Sequence, residues 1–309
     1  MFIGSPLGRA LAGATVVTLA SLLPAGVAHA SSKGSGSDTC APLVDFQRHD
    51  FTHSTTIDNK YLPMVPGTRL TYEGQVASGG GQLAHRVIFT VTDLVKEVDG
   101  VDNRVVYDVD ESDGVVQEAE LAFFSQDDAG NVWNLGEYPE EYEEGKFVGA
   151  PSVWLSGIDD ATGGIHMPAD AEALVDGPEY LQGDAPKIDF LDCARVASKN
   201  SQVSVPAGDF SGVLTTHERS PLDPGNAIQV KDHAPGVGIV RIGAINDPEA
   251  ETLELVSIDQ LSASELRKVD RAAFALDEHG RKVSDVYSGS AELRVEGGGH
   301  GRNGHGHDD

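Results

Sequence analysis

The chain has 309 residues, with 49 Asp and Glu against 22 Lys and Arg and a formal net charge of −27. This charge excludes partners bound through phosphate backbones and anionic membrane surfaces, because no basic stripe interrupts the acidic composition. With 39% hydrophobic and 23% charged residues, the composition is that of a globular protein with one large or two small cores.

The first 30 residues have the order of a secretory signal peptide. One positive charge at Arg9 precedes an apolar run and then Ala28-His29-Ala30, so we predict cleavage after Ala30 and a secreted mature chain. The alternative is a retained membrane helix, which Pro24 and the absence of charges beyond the run disfavour. No other stretch of the sequence is apolar for long enough to span a membrane.

Two cysteines, Cys40 and Cys193, are present in the chain. Because an exported protein enters an oxidising compartment, we predict that they form a disulfide. Two separate buried thiols are the alternative. Residues 31–42, rich in Ser and Gly before Cys40, are predicted to be a flexible linker.

Residues 43–260 are predicted to form one antiparallel β domain. Apolar and polar side chains alternate between Thr68 and Phe124, and Asp-Gly pairs separate the runs. Such alternation is typical of half-buried strands, with acidic residues such as Asp108 and Glu120 opposite the apolar face. Further strands are predicted at 202–205, 212–218, 227–231, 238–242 and 251–258. We therefore predict a mainly β fold, a curved antiparallel sheet in a half-barrel or open barrel of about ten or more strands.

Two other segments flank or interrupt this sheet. Pro151 to Lys187 follows neither periodicity, which predicts a long loop that covers the sheet as a lid. Ser262 and Glu265 form a capping-box sequence, so a helix is predicted over 264–276. Residues 261–296 are expected to be this helix and an extension packed on the β domain, and residues 297–309 a disordered Gly/His tail.

Five glutamates are crowded between residues 137 and 144. Folded back on themselves, they could hold a Ca²⁺ ion. The interpretation we favour is a solvated acidic edge that discourages strand pairing with other chains.

Four turn motifs resemble those of a group of uncharacterised secreted bacterial β-proteins. They are LPMVPG at 62–67, DAGNVW at 128–133, VPAGDF at 205–210 and HAPGVGIV at 233–240. The pairing of a PAGxF turn with an APGVGxV hairpin is also similar to half-barrels related to the lipoprotein-carrier fold. The resemblance implies a curved antiparallel sheet with a covering helix and loops over about residues 43–287. It implies no catalytic residue, because Pro and Gly in such turns specify backbone shape.

Six residues are candidate ligand contacts. Aromatic side chains beside a few polar groups can line a pocket at the open face of a curved sheet, and core packing is the alternative for both tryptophans. The candidates are Trp133, Trp154, Asp159, Asp160, His166 and His217.

The C-terminal tail is the candidate metal site. It carries His300, His305 and His307 in a Gly-rich stretch, and imidazoles two residues apart can share one Zn²⁺, Cu²⁺ or Ni²⁺ ion. The alternative is a solvated tail that holds no metal. No other cofactor is predicted.

Three functional hypotheses remain, because the sequence has no G-x-S-x-G elbow, P-loop or dinucleotide fingerprint. The first is a secreted, non-enzymatic binding protein for a small apolar ligand, a lipid or a divalent cation. The second is an extracellular hydrolase that uses Asp159 or Asp160 with His166 in the 151–187 loop. The third is a cell-envelope interaction protein with no pocket.

Overall fold

The computed structural model describes residues 40–78, 81–223, 225–247 and 250–297. The predicted signal peptide, most of the predicted linker and the three tail histidines lie outside these residues. Within the described ranges, no helix has both the length and the apolar character needed to cross a membrane.

Strands make up most of the described chain, which confirms the predicted mainly β class. One main helix, α1 (Ala263–Val283), precedes the single turn α2 (Asp285–Ser288). Short 3₁₀ turns lie at 48–50, 171–174 and 186–188. The strands are β1 (Thr68–Ser78), β2 (Gly81–Val98), β3 (Val101–Ser112), β4 (Val115–Gln126), β5 (Val132–Glu143), β6 (Lys146–Gly149), β7 (Trp154–Leu155), β8 (Thr162–Met167), β9 (Tyr180–Ala185), β10 (Phe190–Val205), β11 (Gly208–Arg219), β12 (Ile228–Ala234), β13 (Gly238–Ile245), β14 (Thr252–Gln260) and β15 (Arg294–Val295).

Twelve of these strands join into a closed ring. Neighbours follow the order β1-β2-β3-β4-β5-β8-β9-β10-β11-β12-β13-β14, and the antiparallel pairing of β14 with β1 closes the ring. β15 pairs with β2, and β6 and β7 pair with β5, outside the ring order. The predicted curved sheet is thus a barrel-like closed sheet, and we call its interior the lumen.

Asp-Gly turns fix the register of the first hairpins. Asp99, Gly100, Asp113 and Gly114 all have positive φ angles, between 49° and 76°, which two-residue hairpin turns of the primed types require. The turn between β3 and β4 places Asp110 and Asp108 opposite Glu118 and Glu120, beyond one register shift.

The helices cover the outer face of the ring next to β2, β4 and β5. Glu265 N–H and the Ser262 hydroxyl complete the predicted capping box, and Gly280 lies so close to the Tyr138 ring that a Cβ there would approach it to 2.4 Å. Tyr287 of α2 stacks near Tyr138, with ring centroids 4.4 Å apart. The helix continues to Val283, beyond the predicted residue 276, because Asp277 and Gly280 extend its buried face.

The segment from 151 to 187 differs from the continuous covering loop that we predicted. It contains β7, β8 and β9, and β8 and β9 belong to the ring. Gly163 and Gly164 permit close approach here, since added Cβ atoms would lie 2.5 Å from Leu135 and 2.4 Å from the Leu181 carbonyl oxygen. Strands of two to six residues that depend on glycine carry too few side chains to show alternation.

The predicted disulfide between Cys40 and Cys193 is confirmed. It joins the start of the described chain to β10 on the outside of the ring, where both sulfurs pack with Leu181 and Leu191. Ala41 also forms a parallel bridge with Tyr180 of β9.

A buried ion pair holds α1 against β2. Lys96 Nζ donates to Asp277 Oδ1 at 2.8 Å and lies 4.2 Å from the centroid of the Tyr287 ring, and both charged groups are at most 2% exposed. Burial lowers the pKa of Lys96, while the charge of Asp277 opposes that shift. The two side chains therefore depend on each other.

Replacing Asp277 with alanine is expected to lower the free energy of unfolding by about 3–5 kcal/mol, because Lys96 stays buried without its counter-charge. The neighbouring change Glu278→Ala is the control, since Glu278 and its partner Lys282 are each 65% exposed, and it is expected to cost less than about 0.5 kcal/mol. Urea unfolding of both variants measures the difference. Equal losses would show that the Lys96 pair does not stabilise the helix.

Candidate functional site in the lumen

The acidic face of β3 and β4 points into the lumen. Asp108 lies opposite Phe89 of β2 and Glu120 of β4, and cross-strand partners share one face of a sheet. The other face of β4 carries Phe123, which packs beneath Tyr287 of α2. Our interpretation of these strands as half-buried, with their acidic side in solvent, is therefore wrong: Asp108 is 4% exposed and Glu120 is 1% exposed.

The cross-strand partners also show which residues of β12, β13, β14 and β1 face the lumen. Lys231 of β12 lies opposite Ile242, which in turn lies opposite Leu253 of β14. Leu253 faces Gly74 of β1, and Gly74 lies between lumen-facing positions of that strand. We call the buried charged residues of this interior the lumen cluster: Asp108, Asp110, Glu118, Glu120, Glu137, Asp192, Glu218 and Lys231.

Two cations are already matched to carboxylates in the lumen. Lys231 Nζ lies 2.5 Å from Glu218 Oε2. His85 lies between two acids, with Nε2 2.9 Å from Asp110 Oδ2 and Nδ1 3.2 Å from Glu251 Oε1. The remaining acids of the lumen cluster therefore outnumber the positive charges beside them.

The paired groups are shifted toward their charged forms. Burial alone would raise the pKa of Glu218, but the charge of Lys231 outweighs it and brings the pKa to about 2. Burial would likewise lower the pKa of His85, but hydrogen bonds and charges from Asp110 and Glu251 raise it to about 10. Glu218 and His85 are therefore charged at neutral pH.

Four other carboxyl groups are shifted toward their neutral forms. Burial, followed by repulsion from neighbouring carboxylates, raises the pKa of these groups well above the ordinary range: Asp108, Glu118, Glu120 and Asp192. Burial also raises the pKa of Asp110 to about 6, against the opposing effect of His85. No ion pair to a cation is present for these four groups among the described residues, so burial favours their neutral forms.

Three buried side chains of the lumen, those of Asp108, Glu120 and Tyr180, have polar atoms without a hydrogen-bond partner among the described residues. Neither carboxyl oxygen of Glu120 has a hydrogen-bond partner among the described residues, and neither has the hydroxyl of Tyr180. Tyr180 is fully buried and lies opposite Ala194 of β10, next to the lumen-facing Asp192. Buried polar groups are nearly always paired with protein groups or ordered water, so these unpaired groups are unusual.

An apolar pocket adjoins the acidic part of the lumen. It has a volume of about 20 Å³. The pocket is lined by Leu62, Pro63, Met64, Leu70, Tyr72, Phe89, Phe124, His166, Val237 and Ile239. Because Phe89 is the cross-strand partner of Asp108, the apolar and acidic regions meet directly.

Two of the six predicted ligand contacts reach the lumen. His166 packs edge-on against Phe124 with ring centroids 5.4 Å apart, and burial lowers the pKa of His166 to about 4. Trp154 Nε1 donates to Glu137 Oε2 at 3.3 Å, and its ring stacks on Phe190.

The other four predicted contacts lie elsewhere. Trp133 packs against Phe46 and Phe51 in the core. Asp159 is exposed and pairs with Lys187 at 2.6 Å, and Asp160 is exposed in the same turn. His217 is half-buried and bonds Arg195 at 3.1 Å. Among the described residues, no hydrogen bond or ion pair joins Asp159 or Asp160 to His166.

Of the five glutamates predicted to form a solvated edge, Glu143 and Glu144 are exposed, but Glu137 and Glu140 are not. β5 has partners on both sides, and Glu137 and Glu140 are at most 3% exposed. Glu140 accepts hydrogen bonds from the hydroxyls of Tyr138 and Tyr142 and contacts His279 at 2.6 Å. The prediction failed because it treated β5 as an edge strand.

Within the part of the chain that the structure describes, no three His, Cys, Asp or Glu side chains are arranged to hold a metal ion. The predicted metal ligands His300, His305 and His307 lie outside that part, so the tail site stays a prediction.

Sequence reasoning missed the lumen cluster, although one signal was present. With the Asp113–Gly114 turn as a guide, Asp110 and Asp108 align with Glu118 and Glu120, and like charges directly opposite each other destabilise a solvated hairpin. Two such pairs on neighbouring strands indicate a special environment for that face.

Two solved structures are similar to this fold at low identity. One is a candidate exported protein with a YmcC-like fold from Bacteroides fragilis NCTC 9343; its TM-score is 0.36 at 14% identity, over 65% of this chain and 99% of that chain. The other is a candidate lipoprotein from Parabacteroides distasonis ATCC 8503; its TM-score is 0.32 at 14% identity, with the same coverage. Protein-family models and curated proteins gave no match. The resemblance of the turn motifs to secreted bacterial β-proteins stays a prediction.

Proposed function

We propose that this protein is an exported, non-enzymatic binding protein that holds a small organic molecule inside its closed sheet. The observation that carries the proposal is the set of unpaired groups in the lumen, the carboxyls of Asp108 and Glu120 and the hydroxyl of Tyr180. Each buried polar group without a partner costs about 1–3 kcal/mol. A bound molecule that pairs with some of these groups would recover part of that free energy.

The lining of the ring supports the proposal. A pocket of about 20 Å³ remains beside Phe89 inside the ring of twelve strands. The ring's mixed lining, apolar near Phe89 and polar near Glu120, is the usual character of a small-molecule site.

The hydrolase alternative loses its geometric support. It requires Asp159 or Asp160 beside His166, yet both acids lie in an exposed turn while His166 is buried among lumen residues. Export remains part of the proposal: the first 30 residues have the order of a signal peptide, and a disulfide is typical of oxidising compartments.

Native mass spectrometry of the protein purified from its own culture medium tests the proposal. We expect a mature chain that begins at Ser31, is lighter by the two hydrogens of one disulfide, and carries a small molecule released on denaturation. The variant Ala122→Phe fills the lumen next to Glu120 and should lose the bound mass. Val115→Phe adds the same ring at a 43% exposed position and should keep it.

A bare mature mass for the unaltered protein contradicts the proposal and favours the envelope interaction hypothesis. A bound mass that survives Ala122→Phe equally contradicts it, because the molecule then lies outside the lumen. Thermal unfolding of each variant shows whether the ring is intact.

A further inference from the structure

Two carboxyl groups meet where α1 packs on β2, on the outside of the ring. The side chains of Asp93 in β2 and Asp270 in α1 lie within hydrogen-bonding reach of each other, and we call them the acid pair. Asp270 is 6% exposed. Asp93 Oδ1 and Asp270 Oδ1 are both buried, and no donor group of the described residues bonds either atom. Two acids can share such a contact only through a proton or a cation.

The arginines near the acid pair do not cancel its charge. Arg271 and Arg267, on the same helix as Asp270, favour the ionised form of that residue, but less strongly than Asp93 disfavours it. Repulsion between the two acids therefore outweighs the effect of these arginines. A cation bound between the acids would relieve that repulsion.

The chain leaves its last described residues beside the acid pair. Glu296 follows β15, and its backbone N–H donates to the backbone carbonyl of Asp93 at 2.9 Å. Residues 298–309 continue from Gly297, and five of these twelve residues are glycine and three are histidine. A chain spans at most about 3.6 Å per residue, so His300 follows Gly297 by no more than about 11 Å. The sequence thus brings imidazole groups within reach of the acid pair.

Imidazole nitrogens and carboxylate oxygens together form a ligand set for Zn²⁺. Zinc in proteins takes four such ligands at about 2.0–2.2 Å in a tetrahedron. The acid pair supplies two oxygens from elements that are already packed together, and two imidazoles complete the set. In the ranges that the structure describes, no group of three His, Cys, Asp or Glu could hold a metal ion, so the site needs residues 298–309.

We propose that Asp93 and Asp270 bind one Zn²⁺ ion together with two of the three histidines His300, His305 and His307. The ion takes the place of the proton between the acids and ties residues 298–309 to the junction of α1 and β2. This site lies outside the lumen, so the inference does not depend on the proposed function.

Isothermal titration of ZnCl₂ into the metal-free mature protein, purified without a tag, tests the inference. We expect one Zn²⁺ ion per chain. The double change Asp93→Asn and Asp270→Asn keeps the size of both side chains and removes their charges, and it should weaken Zn²⁺ binding at least about tenfold. The triple change His300→Ala, His305→Ala and His307→Ala should abolish binding.

A matched control separates this site from general attraction of Zn²⁺ to an acidic protein. Asp45→Asn with Asp259→Asn makes the same two chemical changes at exposed positions and should leave the affinity unchanged. Thermal unfolding without zinc shows whether each variant is folded. An unchanged affinity after the loss of both charges of the acid pair overturns the inference, because residues 298–309 then bind the ion alone.

Hydrogen exchange of the unaltered protein gives a second readout that needs no substitution. Zn²⁺ should slow amide exchange both in residues 298–309 and in α1 around Asp270, and it should leave exchange in β11 and β12 unchanged. Slowing confined to residues 298–309 overturns the inference. So does binding that survives the triple histidine change, or the absence of Zn²⁺ binding by the unaltered protein.

Discussion

The free energy of unfolding of the ligand-free protein is expected to fall as the pH rises from about 4.5 to 7.5. Asp108, Glu118, Glu120 and Asp192 have pKa values raised well above those of the unfolded chain, because burial penalises their charged forms. The folded protein therefore holds protons that the unfolded chain releases. Each such proton lowers the stability by about 1.4 kcal/mol per pH unit.

Other titratable groups of the lumen change the pH dependence of the free energy of unfolding, some in the same direction and some in the opposite one. Burial lowers the pKa of His166 to about 4 and that of His233 to about 3. These two histidines therefore make the free energy of unfolding increase with pH up to about 6.5. The four raised carboxyls outnumber them. Asp110, with a pKa of about 6, and His85, with a pKa of about 10, both add to the loss as the pH increases. The other buried charged residues around these side chains are Glu137, Glu218, Lys231 and Glu251.

Urea unfolding across this pH range measures the effect. Glu120→Gln should reduce the slope by about one proton, or 1.4 kcal/mol per pH unit, since glutamine cannot ionise. Glu254→Gln, exposed on β14, should leave the slope unchanged. Stability that rises steadily toward pH 7.5 would show that the lumen acids are ionised and stabilised by another cation.

Removal of the disulfide through the double change Cys40→Ser and Cys193→Ser is expected to lower the free energy of unfolding by about 3–5 kcal/mol. The bond links residues 153 apart in sequence, so it removes many conformations from the unfolded chain. It also holds Cys40 beside Leu181 and Leu191 on the outer side of β9 and β10.

Urea unfolding with and without a thiol reductant checks this expectation. Reduction should destabilise the unaltered protein to the level of the double variant and leave the double variant itself unaffected. A loss below about 1 kcal/mol would mean that the reduced unfolded chain keeps its ends together by other contacts.

Much of the fold was predictable because its signals are local. Alternation, the Asp-Gly turns and the capping box of Ser262 and Glu265 each depend on a few neighbouring residues, and all three are present in the structure. The disulfide was predictable from the cellular compartment and the number of cysteines. Ring closure was not, since the pairing of β1 with β14 depends on residues far apart in sequence.

The candidate site was less predictable than the fold. Alternation separates the two faces of β3 and β4 but does not show which face is interior, and a closed sheet with helices outside can bury both. Asp108 and Glu120 were therefore assigned to solvent. His166 and Trp154, predicted as ligand contacts from an irregular segment, are buried, whereas Asp159 in the same segment pairs with surface Lys187; a ligand role for these residues stays a prediction.

Closure of the ring between β1 and β14 also determines when the fold can be completed. Thr68 pairs with Gln260, so a ribosome or an export channel that delivers the chain from its N-terminal side presents β1 long before its partner. Until β14 emerges, one edge of β1 is open to strand addition by other chains. During that interval the acids of β3 and β4 are still hydrated and ionised. Their mutual repulsion opposes contact between nascent chains, and burial favours their protonation only after the ring encloses them.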